Sequence, residues 1–402
     1  LILSIVTLAG IWVVLNTLLE GHIHSNTTQH VPWGLWVALY IYFLGISEGS
    51  FLLSTLVYVF GVKRLEAVGP LALLQALGCV LLGGFLVVMD LGHPFRVYMV
   101  LTSFNPTSVM SWMGLFYNFY ILIVLVALYL ALRPELVRNV QIGKRPAWLY
   151  RCLSLGSTDL GPTSLERDAR WLRILGILGI PVAIIVCGGV GALFAVAKAR
   201  PNWFSGLFPI IFLVSALVSG GALLTFLSAV FSKRPREQKL PLLRDLARLT
   251  IGILCFELLL LVSEILVTFY GYVPFEVTGW SLTLFGPYWW VFWFVQLLIG
   301  AVVPIVIVLT PKWNSSIQWL GLAGFLVAFG ILGARLNIVI PPLIAPALGG
   351  MPEAYHHFRN AVGYFPSLQE WLVAVFAFAL GTWLLLGAVK VLPLEPTGGK
   401  SQ

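Results

Sequence analysis

Along this chain, long apolar runs alternate with short polar segments. The runs fall at Leu1–Leu19, Trp33–Phe60, Val68–Leu91, Ser108–Leu132, Trp171–Ala197, Gly206–Phe231, Leu246–Tyr270, Pro287–Thr310, Ser316–Val339 and Leu368–Val391. About 20 apolar residues rising ~1.5 Å each cross the roughly 30 Å hydrocarbon layer of a bilayer. Lipid offers no partner to backbone polar groups, so a spanning segment is a helix or part of a closed barrel, and continuous runs of this length are helical. Gly and Pro inside the runs do not oppose this, because neighbouring helices satisfy the freed carbonyls. Leu1–Leu19 lacks a basic leading region and a small-residue cleavage site, so it reads as a spanning helix rather than a signal peptide. The expected fold is all-α: a polytopic membrane protein of about ten transmembrane helices.

Composition agrees. Apolar residues make up 59% of the 402 residues and charged residues 10%, with a mean hydropathy of +0.95, against about 45–50% and ~25% in soluble domains. The net charge of +8 sits in short loops between apolar runs, which points to membrane topology rather than nucleic acid. Cys79, Cys152, Cys187 and Cys255 are isolated, without iron–sulfur or zinc spacing. His22, His24, His30, His93, His356 and His357 all fall in loops or at a helix end, so no pair is placed to ligate haem across two helices. Neither a phosphate-binding loop nor a nucleophile elbow is present. No haem or iron–sulfur cluster is expected in this chain; a redox metal belongs to a partner.

Basic residues give the orientation. Of the 24 Lys and Arg, 19 lie on one side, eight of them in the Arg133–Arg173 loop and six between Lys233 and Arg248, while Arg96, Lys198, Arg200, Arg335 and Arg359 are the 5 on the other. Both termini and the richer side are therefore expected in the cytoplasm. The outer loops Glu20–Pro32, Gly92–Thr107, Lys198–Ser205, Gly271–Gly286 and Ile340–Ser367 are rich in His, Trp, Tyr, Pro and Gly. That composition suits packing against a partner protein or a lipid-soluble ligand, and equally an aromatic interface belt.

An ionisable group at membrane depth costs about 2.5–3.5 kcal/mol, so each needs a reason. Glu48 lies mid-way along the second run, Glu257 mid-way along the seventh with Glu264 two turns outward on the same face, and Gln296 mid-way along the eighth. With Asp90 they are candidates for a proton path running outward; the alternative is that each is a neutral or hydrogen-bonded helix contact. Asp90-Leu-Gly-His-Pro-Phe-Arg96 is the strongest local constellation. If the helix persists to His93, Asp90 and His93 lie one turn apart and present a carboxylate and an imidazole to one ligand. A quinone needs hydrogen-bond donors and a nearby proton donor or acceptor, which such a pair supplies; an interfacial Asp–Arg cap is the plainer reading. Arg335 and Asn337, and Lys198-Ala-Arg-Pro-Asn-Trp203, put cations on the same side, where they either dock an acidic partner or snorkel to headgroups.

Several motifs occur together in order: Val31-Pro-Trp-Gly-Leu-Trp36, Asp90-Leu-Gly-His-Pro94, Asn105-Pro-Thr-Ser-Val-Met-Ser-Trp112, Ala199-Arg-Pro-Asn-Trp203, Phe212-Leu-Val-Ser-Ala-Leu-Val-Ser-Gly220 and Arg335-Leu-Asn337. Together, over Trp33–Ile340, they resemble the NrfD/PsrC family, the quinone-interacting membrane subunits of polysulfide reductase, related respiratory oxidoreductases and alternative complex III. The resemblance implies two four-helix bundles flanked by a helix at each end. The expected organisation is a first helix and loop (1–32), a first bundle (33–197, with a cytoplasmic loop at 133–170), a second bundle (198–340), and an outer segment with the last helix (341–402). It further implies a haem-free subunit of a prokaryotic cytoplasmic (inner) membrane that exchanges electrons between menaquinone or ubiquinone and an iron–sulfur subunit on the outer face, with a further catalytic or cytochrome subunit beyond it. The family's quinone pocket maps onto His30, Asp90, His93, Tyr117 and Asn118, with Arg200 nearby. The rival readings from the residues alone are a secondary transporter, which intramembrane carboxylates also suit, and a purely structural anchor.

Overall fold

A computed structural model describes residues 2–143, 147–346, 350 and 361–394. His356 and His357 lie outside the described residues. Among those described, ten helices are long and apolar enough to cross a membrane: α1 Ile2–Glu20, α2 Leu35–Tyr58, α3 Gly69–Asp90, α4 Val109–Gln141, α5 Pro162–Ala195, α6 Phe208–Phe231, α7 Arg236–Gly271, α8 Val291–Leu309, α9 Ile317–Ile344 and α10 Leu368–Val391. The chain is a polytopic all-α membrane protein.

The helices pack as two four-membered rings. In the first, α2 and α4 each lie between α3 and α5; in the second, α6 to α9 close around one another. The rings share a seam in which α2 lies against α6 and α9, and α5 against α6. Helix α1 pairs with α10, and the two flank α3. Lipid removes the hydrophobic drive between helices, so close approach of small residues becomes the source of packing energy. The seam follows this rule. Gly49 of α2 faces the Ala216 backbone of α6 and Gly220 of α6 faces Gly49, while Gly300 of α8 meets Gly330 of α9 in the same way.

Three helices run past the apolar limits. α4 continues from Leu132 to Gln141, α5 begins at Pro162 rather than Trp171, and α7 begins at Arg236 rather than Leu246. The segment Arg133–Arg173, expected as a loop, is thus largely helical, with a short helix at Ala147–Leu153 in its middle. Tertiary contacts supply the cause. Arg133 is buried and pairs with Asp168, and its second terminal nitrogen donates to Ser157 Oγ at 2.7 Å, the Asp159 carbonyl at 3.1 Å and Ser164 Oγ at 3.1 Å. One buried cation so compensated holds the helix ends together beyond the lipid.

Helix α8 is wound as a π-helix over Val291–Val302 and returns to α-helix at Val303–Leu309. Pro304 has no N–H and its ring crowds the carbonyl four residues before it; widening the preceding turns accommodates both. Gln296 lies within this stretch.

Candidate functional site

Asp90 closes α3, and its helix ends there: Leu91 is extended (φ −72°, ψ 129°) and His93 lies outside helical geometry (φ −135°, ψ 73°). The one-turn Asp90–His93 pairing expected from a continuing helix therefore does not form. Asp90 is half-buried, and its carboxyl accepts no hydrogen bond from a described residue; His93 is exposed on a surface segment with Phe95, Tyr98 and Met99. Two neighbours that sequence reasoning missed stand around Asp90. His22 Nε2 lies 2.9 Å from the Met89 carbonyl, its ring edge-on to Trp36, and the charge of Glu370 in α10 acts on the Asp90 carboxyl.

Glu370 ties this end of the molecule together. Ser367 and Glu370 form a capping box at the start of α10. Glu370 Oε2 also accepts the Asn26 N–H at 3.1 Å, and Oε1 accepts the Tyr364 hydroxyl, which itself accepts the Leu35 N–H at 2.8 Å. Trp36 Nε1 donates to the Glu370 carbonyl at 3.1 Å. Burial and the adjacent Glu370 push the Tyr364 hydroxyl far above its ordinary value, so it stays protonated and donates. The Ser367-x-x-Glu370 spacing was a readable sign of the cap, but nothing in sequence linked it to residues 26–36.

The other expected pocket residues divide. Tyr117 donates its hydroxyl to the Val80 carbonyl, joining α4 to α3. Asn118 is exposed and donates to the Gly114 carbonyl at 2.8 Å, so it faces away from the bundle interior. His30 is half-buried, and its carbonyl accepts from Arg200 Nη2 at 3.2 Å. Arg200 Nη1 donates to the Pro342 and Ala345 carbonyls at 3.1 and 2.8 Å; burial lowers its pKa from the ordinary arginine value. Arg200 is therefore a clip between the segment leading into α2 and the end of α9. Asn202 bonds the Glu276 carbonyl and Trp203 the Ile338 carbonyl, and Trp203 stacks on Trp33. Arg200 and Trp203 hold the two rings together, while Lys198, the other cation of this motif, is exposed.

The second ring encloses a cavity of about 100 Å³ whose lining includes Glu257, Glu264, Gln296, Arg335, Asn337 and Trp280. Glu257, Glu264 and Gln296 thus share one space, as their depth and helical spacing suggested. Asn337 Nδ2 donates to Gln296 Oε1 at 2.8 Å. Asp90 does not line this cavity, and Glu48 does not either; Glu48 is 1% exposed on α2, at the seam. Arg335 is the larger correction. It is 1% exposed, so it neither snorkels nor docks a partner. Its guanidinium carbon sits 4.5 Å from the centre of the Phe212 ring, a cation–π contact. Its three nitrogens have no hydrogen-bond partner among the described residues, and Glu48 Oε1 and Glu257 Oε2 are likewise unpartnered there. No group of three or more His, Cys, Asp or Glu among the described residues is placed to hold a metal.

The fold and these groups define a polytopic membrane protein that holds protonatable side chains inside its helix bundles and a half-buried carboxyl at the end of one spanning helix. The chain matches the family described as "Polysulphide reductase, NrfD" over residues 24–347, and it belongs to that family. It is 38% identical to a subunit of the selenate reductase of Mesobacillus selenatarsenatis, over 98% of this chain and 93% of the relative. A Hdr-like menaquinol oxidoreductase integral membrane subunit of Archaeoglobus fulgidus is 28% identical over 92% of this chain and 87% of the relative. For a menaquinone reductase integral membrane subunit of Nitratidesulfovibrio vulgaris the figures are 19%, 96% and 89%.

Proposed function

We propose that this chain is the membrane subunit of a respiratory oxidoreductase complex and exchanges electrons between a membrane quinone, menaquinone or ubiquinone, and an iron–sulfur subunit docked on the face that carries Asp90. The names of the relatives that oxidise menaquinol or reduce menaquinone support the quinone. The charge asymmetry of the loops supports an outward Asp90 face with both termini in the cytoplasm. The observation that carries the site is the Asp90 carboxyl: half-buried at the end of a spanning helix and free of hydrogen bonds to described residues. It fits a ligand that gains and loses protons with its electrons. A bound quinol gives up two electrons, which pass to the iron–sulfur partner, and two protons; Asp90 accepts one at the headgroup and releases it to the outer surface before accepting the second, and exposed His93 is a proton acceptor on that surface. Phe95, Tyr98 and Met99 beside it give the partner an apolar footing.

The test is quinol-dependent electron transfer by the purified complex. Asp90→Asn that still assembles is expected to lose on the order of 100-fold or more of turnover, the range of general acid–base catalysis, and His93→Ala to lose less. Unchanged turnover in Asp90→Asn would remove this site.

Proton translocation is a second reading, favoured by the cavity that joins Glu257, Glu264 and Gln296. In sealed vesicles, Glu257→Gln is expected to keep quinol oxidation while proton movement per electron falls; an undiminished ratio counts against the reading.

A further inference from the structure

The deepest polar groups sit on both sides of the seam. Glu48 comes from α2 of the first ring, Glu257 from α7 of the second, and Arg335 from α9 between them. Gly45, one turn before Glu48, gives Arg335 its room: a Cβ there would stand 3.3 Å from Nη2. Glu257, Cys187 and Glu48 are the titratable groups whose charges act on Arg335. From the remaining helices around it, α6 contributes Phe212 and the uncharged Ser215, α8 the neutral Gln296, and α7 also Glu264 two turns further along. No ion pair within 4 Å joins Arg335 to either carboxyl among the described residues.

A low-dielectric interior resists net charge. One guanidinium between two carboxyls is balanced in one way, with one carboxyl ionised and the other protonated. Both ionised leaves an excess negative charge; both protonated leaves the cation alone. We propose that Glu48, Arg335 and Glu257 form a single cluster holding one shared proton, which rests on the carboxyl of one ring or the other while Arg335 compensates whichever is ionised. Moving the proton from Glu48 to Glu257 breaks one O–H bond and forms another, and the total charge is unchanged. Arg335 is a positioning residue here: it takes up no proton, and it sets how many protons the two acids hold. The unpartnered atoms of Arg335 and Glu257 border a cavity large enough for several waters, which gives the proton a route towards Glu264. As a step in translocation this rests on the proton reading above; as a count of protons it does not.

The test is infrared difference spectroscopy of the purified complex in lipid, reading the carbonyl stretch of protonated carboxyls against the unaltered protein. Glu48→Gln and Glu257→Gln should each remove the signal of one protonated carboxyl, because the remaining acid then pairs ionised with Arg335. The two replacements together should remove no more than either alone. Arg335→Gln should add one, whereas Arg335→Lys should leave the count as it was. Retention of the signal in either single variant, or a double variant that loses twice the single loss, would overturn the shared proton. The two single variants decide the matter even if the others fail to assemble. The readout needs no quinone turnover, so a failure here is distinct from a failure of the Asp90 site.

Discussion

Gly49→Leu is expected to abolish accumulation of the folded subunit. A Cβ at this position lands on the backbone of Ala216, and Gly220 packs back onto Gly49 from the other side. Ordinary overpacking costs about 1–3 kcal/mol because side chains yield. Two helix backbones cannot yield locally, so α2 and α6 must separate along the seam that joins the two rings. The internal control is Gly78→Ala in α3, where an added Cβ meets nothing within 4 Å; it should be neutral or slightly stabilising through helix propensity. Membrane yield and the size-exclusion profile of a tagged subunit measure both. A monodisperse Gly49→Leu protein at the unaltered level would contradict the seam.

Glu370→Ala should lower the thermal stability of the complex more than other single polar replacements on the Asp90 face. Its two oxygens accept from Tyr364, Asn26 and Ser367, and truncation leaves the buried Tyr364 hydroxyl and the part-buried Asn26 and Ser367 N–H groups without acceptors. The buried donor costs about 1–3 kcal/mol and the two nearer water less, for a total of about 2–4 kcal/mol. Tyr364 also accepts the Leu35 N–H and its carbonyl accepts the Tyr288 hydroxyl, so the damage reaches the start of α2 and the segment before α8. Glu370→Gln keeps an acceptor oxygen and should fall between. Thermal unfolding of the detergent-solubilised complex is the measurement; equal stability of Glu370→Ala and the unaltered protein would mean the network contributes nothing.

Hydropathy located all ten spanning helices, because a lipid core imposes one simple rule on every residue of a span. It failed at the ends of α4, α5 and α7, where helices leave the lipid and water no longer discriminates helix from loop by hydrophobicity. Arg133 looked like the first residue of a loop; only its partner Asp168, 35 positions on, reveals a buried helical ion pair. The Asp90 motif was legible as chemistry, since a carboxylate and an imidazole beside Pro94 at a membrane edge are unusual, but its geometry was not. Where α3 stops depends on what meets its end, and His22, from a distant part of the chain, lies against the Met89 carbonyl.

The sequence by itself determined the class of protein, the ten apolar spans found among the described residues, and the depth of Glu48, Glu257 and Gln296, because burying each is costly whatever the fold. The tertiary structure decided how those residues are used. It buried Arg335 inside the molecule against the Phe212 ring, made Arg200 a clip on three backbone carbonyls, turned Asn118 outward and joined Glu257, Glu264 and Gln296 in one cavity. The reason is that the depth of a residue follows from its own helix, whereas the direction a side chain faces and the charge it meets follow from how helices remote in sequence pack against one another.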